Sequence, residues 1–100
     1  MITIQNAING GLVTSASPRN QPVFNPATGV EVASLPLSTT EELDTAVAAA
    51  KAALPSWSAT PALKRARFMF KFQELLHANA DRIAKAISAE HGKTHDDALG

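Results

Sequence analysis

The chain has 100 residues, of which 45% are hydrophobic, 18% are charged and none is cysteine; its formal net charge at pH 7 is zero. That length fits one small domain or a piece of one, and the apolar content excludes a disordered tail. The missing cysteines exclude disulfides, thiolate metal sites and a thiol nucleophile, and neutrality excludes a global pull towards nucleic acid or a membrane surface.

The halves differ mildly: residues 1–50 carry one base and four acids, residues 51–100 eight bases and five acids. This reads as ordinary surface. Four Phe and one Trp are the only aromatics, and Ala supplies much of the apolar count, so the expected core is thin. The N-terminus has no basic segment followed by an apolar one and no Arg-rich presequence. No apolar run is long enough to span a bilayer, and a cytoplasmic location is the default expectation.

In chain order, Ile2, Ile4 and Ile8 alternate with polar residues up to Asn9-Gly10-Gly11, and Leu12-Val13 resumes the pattern. Asn-Gly between alternating runs predicts a hairpin. Thr14 to Gln21 is a loop by composition. Pro22-Val23-Phe24 is a short strand and Val30 to Leu35 its return, closed by Pro36. Between them Asn25-Pro26-Ala27-Thr28-Gly29 is a turn, where Pro26 fixes φ and Gly29 supplies φ > 0.

Thr39 with Glu42 three residues on is a capping box that opens a helix. Its apolar stripe is Leu43, Val47, Ala50 and Leu54, Pro55 is expected to end it, and Ser56 to Ala59 to form a connector. A long helical stretch from Thr60 to Lys93 then organises the chain, with Thr60 as N-cap, Pro61 at the first helical position and Gly92 as the stop. On a helical wheel Leu63, Ala66, Met69, Phe70 and Leu76 share one side, while Phe68, Phe72 and Leu75 form a second apolar edge. Only Lys64, Arg67, Lys71 and Glu74 make a charged stripe. A helix apolar over most of its circumference is buried on two sides, so this one expects more protein than 100 residues supply.

Asn79 and Asp81 suggest a kink or restart, with Asn79 as a cap, followed by an inner face of Ala80, Ile83, Ala84 and Ile87 and an outer Asp81–Lys85 pair. Thr94 to Asp97 starts a further helix, and Gly100 follows so soon that truncation is the expectation. Strands thus occupy residues 1–37 and helices residues 39–100.

Constellations that could carry chemistry are weak. His91 and His95 have the i, i+4 spacing of zinc helices, but Gly92 lies between them and neither they nor His77 gain a third ligand; solvated histidines are the simpler reading. Asp96 and Asp97 point about 100° apart on a helix, so dipole compensation explains them better than acid–base work. Lys64, Arg65, Arg67 and Lys71 could meet phosphate, but Phe68, Phe70 and Phe72 beside them read as core rather than stacking platforms, which argues against a nucleic-acid partner. Gly10-Gly11 lacks the spacing and the following helix of a phosphate loop.

Ile8-Asn9-Gly10-Gly11-Leu12-Val13, Asn25-Pro26-Ala27-Thr28-Gly29, Phe70 to Leu76 after the Trp57 segment, and Glu90-His91-Gly92-Lys93-Thr94 with Asp96, Asp97, Ala98 and Gly100 occur in one fixed order. Together they resemble the N-terminal region of the NAD(P)-dependent aldehyde dehydrogenase superfamily over nearly the whole chain. Phe72 to Leu76 and Glu90 to Ala98 look most like the methylmalonate-semialdehyde dehydrogenases, its CoA-acylating branch, used in valine catabolism.

The resemblance implies an α/β fold: short antiparallel strands followed by helices, an incomplete part of a Rossmann-like cofactor-binding domain. For a full-length parent it implies a cysteine that attacks the aldehyde, hydride transfer to NAD, a thioester passed to CoA with decarboxylation, and a homodimer or homotetramer. The reacting parts of the family lie beyond residue 100. No catalytic, cofactor-binding or metal-ligating residue is therefore carried over, and the chain alone is expected to be inactive. Lys93 reads as a helix C-terminal lysine favouring the dipole rather than as a phosphate contact. The rival readings are a non-acylating aldehyde dehydrogenase and a free-standing helical interaction module.

Overall fold

The computed structural model describes every residue from Met1 to Gly100, and the chain forms two units: Met1–Phe24 with Glu31–Ala59, and Asn25–Val30 with Thr60–Gly100.

The first unit holds strands β1 (Ile2–Thr3), β2 (Asn6–Ile8), β3 (Gly11–Val13), β4 (Asn20–Phe24) and β5 (Glu31–Pro36) and helix α1 (Thr40–Ala59). Strands β2 and β3 are the expected hairpin, paired antiparallel with Ile8 opposite Gly11. Asn9 (φ 51°) and Gly10 (φ 77°) both take the left-handed conformation that a two-residue turn of this hand requires. Strands β4 and β5 pair antiparallel, and the pairing reaches back to Asn20 opposite Pro36, so Asn20 and Gln21 belong to the strand rather than the loop. One pairing has no signal in the sequence: β1 lies parallel to β5, with Ile2 opposite Ala33, and the Ile4 N–H donates to Ser34 O at 2.9 Å. The three-stranded sheet has the order β1-β5-β4.

Helix α1 opens as its capping box predicts. Glu42 N donates to Thr39 Oγ1 (3.2 Å), and Thr39 N to Glu42 Oε2 (2.9 Å). Its end differs from expectation. Pro55 lies inside the helix, which runs on to Ala59 and takes Ser56 to Ala59 with it. Proline removes the N–H that would bond the carbonyl four residues earlier, at Lys51. Around that break the Ser56 and Ser58 hydroxyls donate to Ala53 O and Pro55 O. The helix stops where the next proline disfavours helical φ/ψ at Thr60.

The second unit holds α2 (Ala62–Ala78), α3 (Ala80–His91) and α4 (His95–Leu99), together with the Asn25–Val30 turn. The long stretch is thus two helices. Pro61, at φ −55° and ψ 144°, is the residue before α2 rather than its first, because its carbonyl already accepts the first helical bond from Arg65 N. The break falls at Asn79, but its side chain does not cap α3. Asn79 Nδ2 donates backwards to Leu75 O at 2.8 Å, closing α2. Helix α3 ends as expected: Gly92 is left-handed at φ 83°, and its N–H donates to Ser88 O. Thr94 Oγ1 accepts from Asp97 N at 3.3 Å and caps α4. Helix α4 packs on α3, where Ala84 and Ala98 are buried.

Buried residues are few and small: Ala33, Pro36, Ala84 and Ala98. The chain exposes 7856 Å² for 10.5 kDa, against roughly 5400 Å² from the size scaling of folded monomers. The capping box, the hairpin turn and the Gly92 stop are met, yet α2 buries none of its residues.

Candidate functional site

Three constellations bring together residues that are distant in sequence. The first centres on Glu42. Its carboxylate accepts from Ser15 Oγ (2.6 Å), Ala16 N (2.7 Å) and Thr39 N (2.9 Å), tying the loop after β3 to the start of α1. Asn6 Nδ2, donating to Ser38 Oγ at 2.9 Å, adds a second tie. The Ser15 hydroxyl bond, with the Thr39 and Ala16 amides, holds the Glu42 carboxyl below its ordinary value of 4.5. A serine beside a carboxylate invites a nucleophile–base reading. A carboxylate committed to three donors and held ionised is a poor base, and no histidine joins the pair. The arrangement is a clamp.

The sign of its pH dependence follows. A depressed folded pKa contributes stability above the unfolded value, and that stability is lost as pH falls through the folded one. The Ala16 amide proton is therefore expected to titrate with a midpoint below 4.5. Nuclear magnetic resonance would read this, and in Glu42→Gln the titration should vanish.

The second constellation joins α3 and α4. Asp81 accepts from Lys85 Nζ at 2.7 Å, the pair predicted on the outer face, and Asp81 Oδ1 lies 3.2 Å from His95 Nε2. The Lys85 hydrogen bond leads in holding the Asp81 carboxyl below its ordinary value against desolvation, and the Lys85 charge and His95 add to it. His91 ends α3 and His95 begins α4, so the two do not share one helix face. No three His, Asp or Glu side chains converge to hold a metal ion. The Asp97 amide donates to the Thr94 cap, and its carboxylate stands 3.9 Å from Lys93 Nζ, which is where the candidate phosphate lysine points.

The third joins two segments singled out separately in the sequence. In the Asn25–Gly29 turn, Asn25 Oδ1 accepts from Ala27 N (2.9 Å) and Thr28 N (3.3 Å), and Gly29 takes φ 71°. The turn packs against the end of α3. A Cβ on Gly92 would stand 3.3 Å from Pro26 Cγ. Gly92 thus serves a left-handed cap and a close approach together.

On α2, Lys64, Arg67 and Lys71 line a shallow depression with Phe68, and Lys71 pairs with Glu74 at 3.1 Å. Phe70 and Phe72, expected as core, are 64% and 54% exposed. Arg65 stands apart from that stripe: its Nε is shut off from water and has no hydrogen-bond partner. The sequence offered no signal for this, nor for the Ser15–Glu42 clamp.

The family model described as "Aldehyde dehydrogenase family" matches residues 12–100. A malonate-semialdehyde dehydrogenase of Geobacillus thermodenitrificans is 46% identical over 98 residues, covering 98% of this chain and 20% of the relative. The crystal structure of a methylmalonate-semialdehyde dehydrogenase from Oceanimonas doudoroffii is 50% identical with a TM-score of 0.95, covering all of this chain and 20% of the other. A Sinorhizobium meliloti structure described as a methylmalonate-semialdehyde dehydrogenase and solved with NAD is 45% identical with a TM-score of 0.89, covering 93% and 19%. The chain spans about one fifth of the length of the curated relatives it matches.

Proposed function

This chain belongs to the aldehyde dehydrogenase family, and from that premise we propose that it forms the N-terminal fifth of a malonate- or methylmalonate-semialdehyde dehydrogenase. The proposed whole enzyme oxidises the semialdehyde with NAD and passes the acyl group to CoA with loss of carbon dioxide. It works as a soluble cytoplasmic homodimer or homotetramer. The observation that carries this reading is 50% identity at a TM-score of 0.95 over all of this chain.

Within that reading the chain is scaffold. It has no cysteine to attack an aldehyde. It has no dinucleotide cradle either: Gly10 and Gly11 belong to a hairpin, not to a strand-to-helix turn. The NAD site and the reacting groups are assigned to the other four fifths.

The test is a chimera in which this chain replaces the matching first fifth of the Oceanimonas doudoroffii enzyme. Semialdehyde-dependent NADH formation is expected within about tenfold of the unmodified enzyme, since no reacting group is exchanged. The 100-residue chain alone should form no NADH; formation would overturn the scaffold assignment.

A further inference from the structure

Asparagine occupies positions 6, 9, 20, 25 and 79, and only Asn9 is followed by glycine. The other side chains are tied. Asn6 Nδ2 donates to Ser38 Oγ, Asn20 Nδ2 to Pro18 O and Asn79 Nδ2 to Leu75 O, while Asn25 Oδ1 accepts from the Ala27 and Thr28 amides. Asn25 also precedes Pro26, whose nitrogen carries no proton. The Asn9 side chain makes no hydrogen bond, and both Asn9 and Gly10 are exposed. Ile8 pairs with Gly11, which leaves Gly10 outside the ladder, and a Cβ built on Gly10 would meet nothing within 4 Å.

We propose that Asn9-Gly10 is a self-modification site, at which Asn9 is converted to aspartate and isoaspartate and the isoaspartate product unpairs the β2–β3 hairpin. The Gly10 backbone nitrogen attacks Asn9 Cγ. An N–Cγ bond forms, the Cγ–Nδ2 bond breaks, and ammonia leaves with the proton from Gly10 N. The product is a cyclic succinimide, which water opens. Cleavage at Cγ leaves aspartate on the ordinary backbone. Cleavage at the Asn9 carbonyl carbon leaves isoaspartate, with the chain running through Cγ. Nothing is oxidised or reduced, and water is the sole co-reactant. Glycine matters because it places no Cβ beside the attacking nitrogen. The reacting groups belong to adjacent residues, so the step is intramolecular.

Ring closure needs the backbone between Asn9 and Gly10 to rotate out of the turn, so opening of the hairpin governs access. Opening costs little here. Strands β2 and β3 form a two-stranded sheet of their own, and every residue of β3 is exposed. The products then part company. Aspartate before glycine suits the same two-residue turn as asparagine does. Isoaspartate adds a carbon to the backbone, so Ile8 no longer stands opposite Gly11 and the register is lost. The Asn6–Ser38 tie to the start of α1 springs from the same strand.

The experiment incubates the 100-residue chain and the chimera in mildly alkaline buffer and follows each asparagine of this segment by peptide mapping, with fragmentation that separates aspartate from isoaspartate. In both, Asn9 is expected to convert about tenfold or more faster than the other four, about 1.4 kcal/mol on the barrier. Gly10→Ala, measured in urea so that alanine in a left-handed turn adds no strain, should slow conversion about tenfold or more. In the chimera, amide exchange at the Ile8–Gly11 pair should speed up in the isoaspartate form and stay unchanged in Asn9→Asp.

Four outcomes overturn the proposal. They are another asparagine converting as fast as Asn9, Gly10→Ala converting at the unmodified rate, Asn9 staying intact in a folded chimera, and an isoaspartate form whose Ile8–Gly11 pair exchanges like that of Asn9→Asp. If the chimera does not fold, the rates in the 100-residue chain decide. NADH formation has no part in the readout, so the proposed function can fail with this inference intact.

Discussion

Replacing Gly92 with valine in the full-length chimera is expected to destabilise it by about 2–3 kcal/mol, whereas Gly29→Ala costs about 1 kcal/mol. Both glycines are left-handed, at φ 83° and 71°, so both substitutions bear the conformational cost of a side chain in that region. They differ in what the new Cβ meets. At Gly29 nothing lies within 4 Å; at Gly92 the Pro26 ring stands at 3.3 Å. The turn must give way or α3 must lose its left-handed cap, and the β-branch of valine sharpens both. Urea unfolding followed by circular dichroism would check the order. Equal losses at the two positions would show that the Pro26 contact contributes nothing.

The second large effect concerns the chain by itself. Its buried residues are three alanines and a proline, and all four Phe are more than half exposed. Folding must offset a conformational entropy of about 1–2 kcal/mol per residue, and burial of alanine methyl groups cannot do so. The isolated chain is expected to show helical circular dichroism from its capped segments, to bind an apolar dye, and to melt gradually without a cooperative transition. The chimera, by contrast, should melt cooperatively. A sharp calorimetric transition for the isolated monomer would show that these 100 residues hold a core the exposure pattern denies.

What was legible in the sequence was local. The Thr39–Glu42 box, the Asn9-Gly10 turn, the Gly92 stop and the Thr94 cap each depend on residues no more than four apart, and each forms as expected. Where local rules compete, the reading erred. Pro55 was expected to stop a helix that carries on past it to Ala59. Asn79 breaks the long stretch but spends its side chain on the helix behind it. What was not legible needs distance to be abolished first: Ser15 reaching Glu42, Pro26 meeting Gly92, and Ile2 beside Ala33. The wide apolar arc of α2 could be read from periodicity. The orphaned donor at its centre could not, because Arg65 looks in sequence like one more member of a basic run.

The parallel pairing of β1 with β5 also sets a timetable for synthesis. Ile2 and Thr3 leave the ribosome well before their partners, Ala33 and Ser34, which are made about thirty residues later. At roughly 5–20 residues per second, the first strand waits some seconds for its neighbour. The Asn9-Gly10 hairpin closes within microseconds of emerging, so it forms while β1 is still unpaired. A bulky substitution in β1 would therefore act chiefly during translation, while that strand waits for β5 to be made.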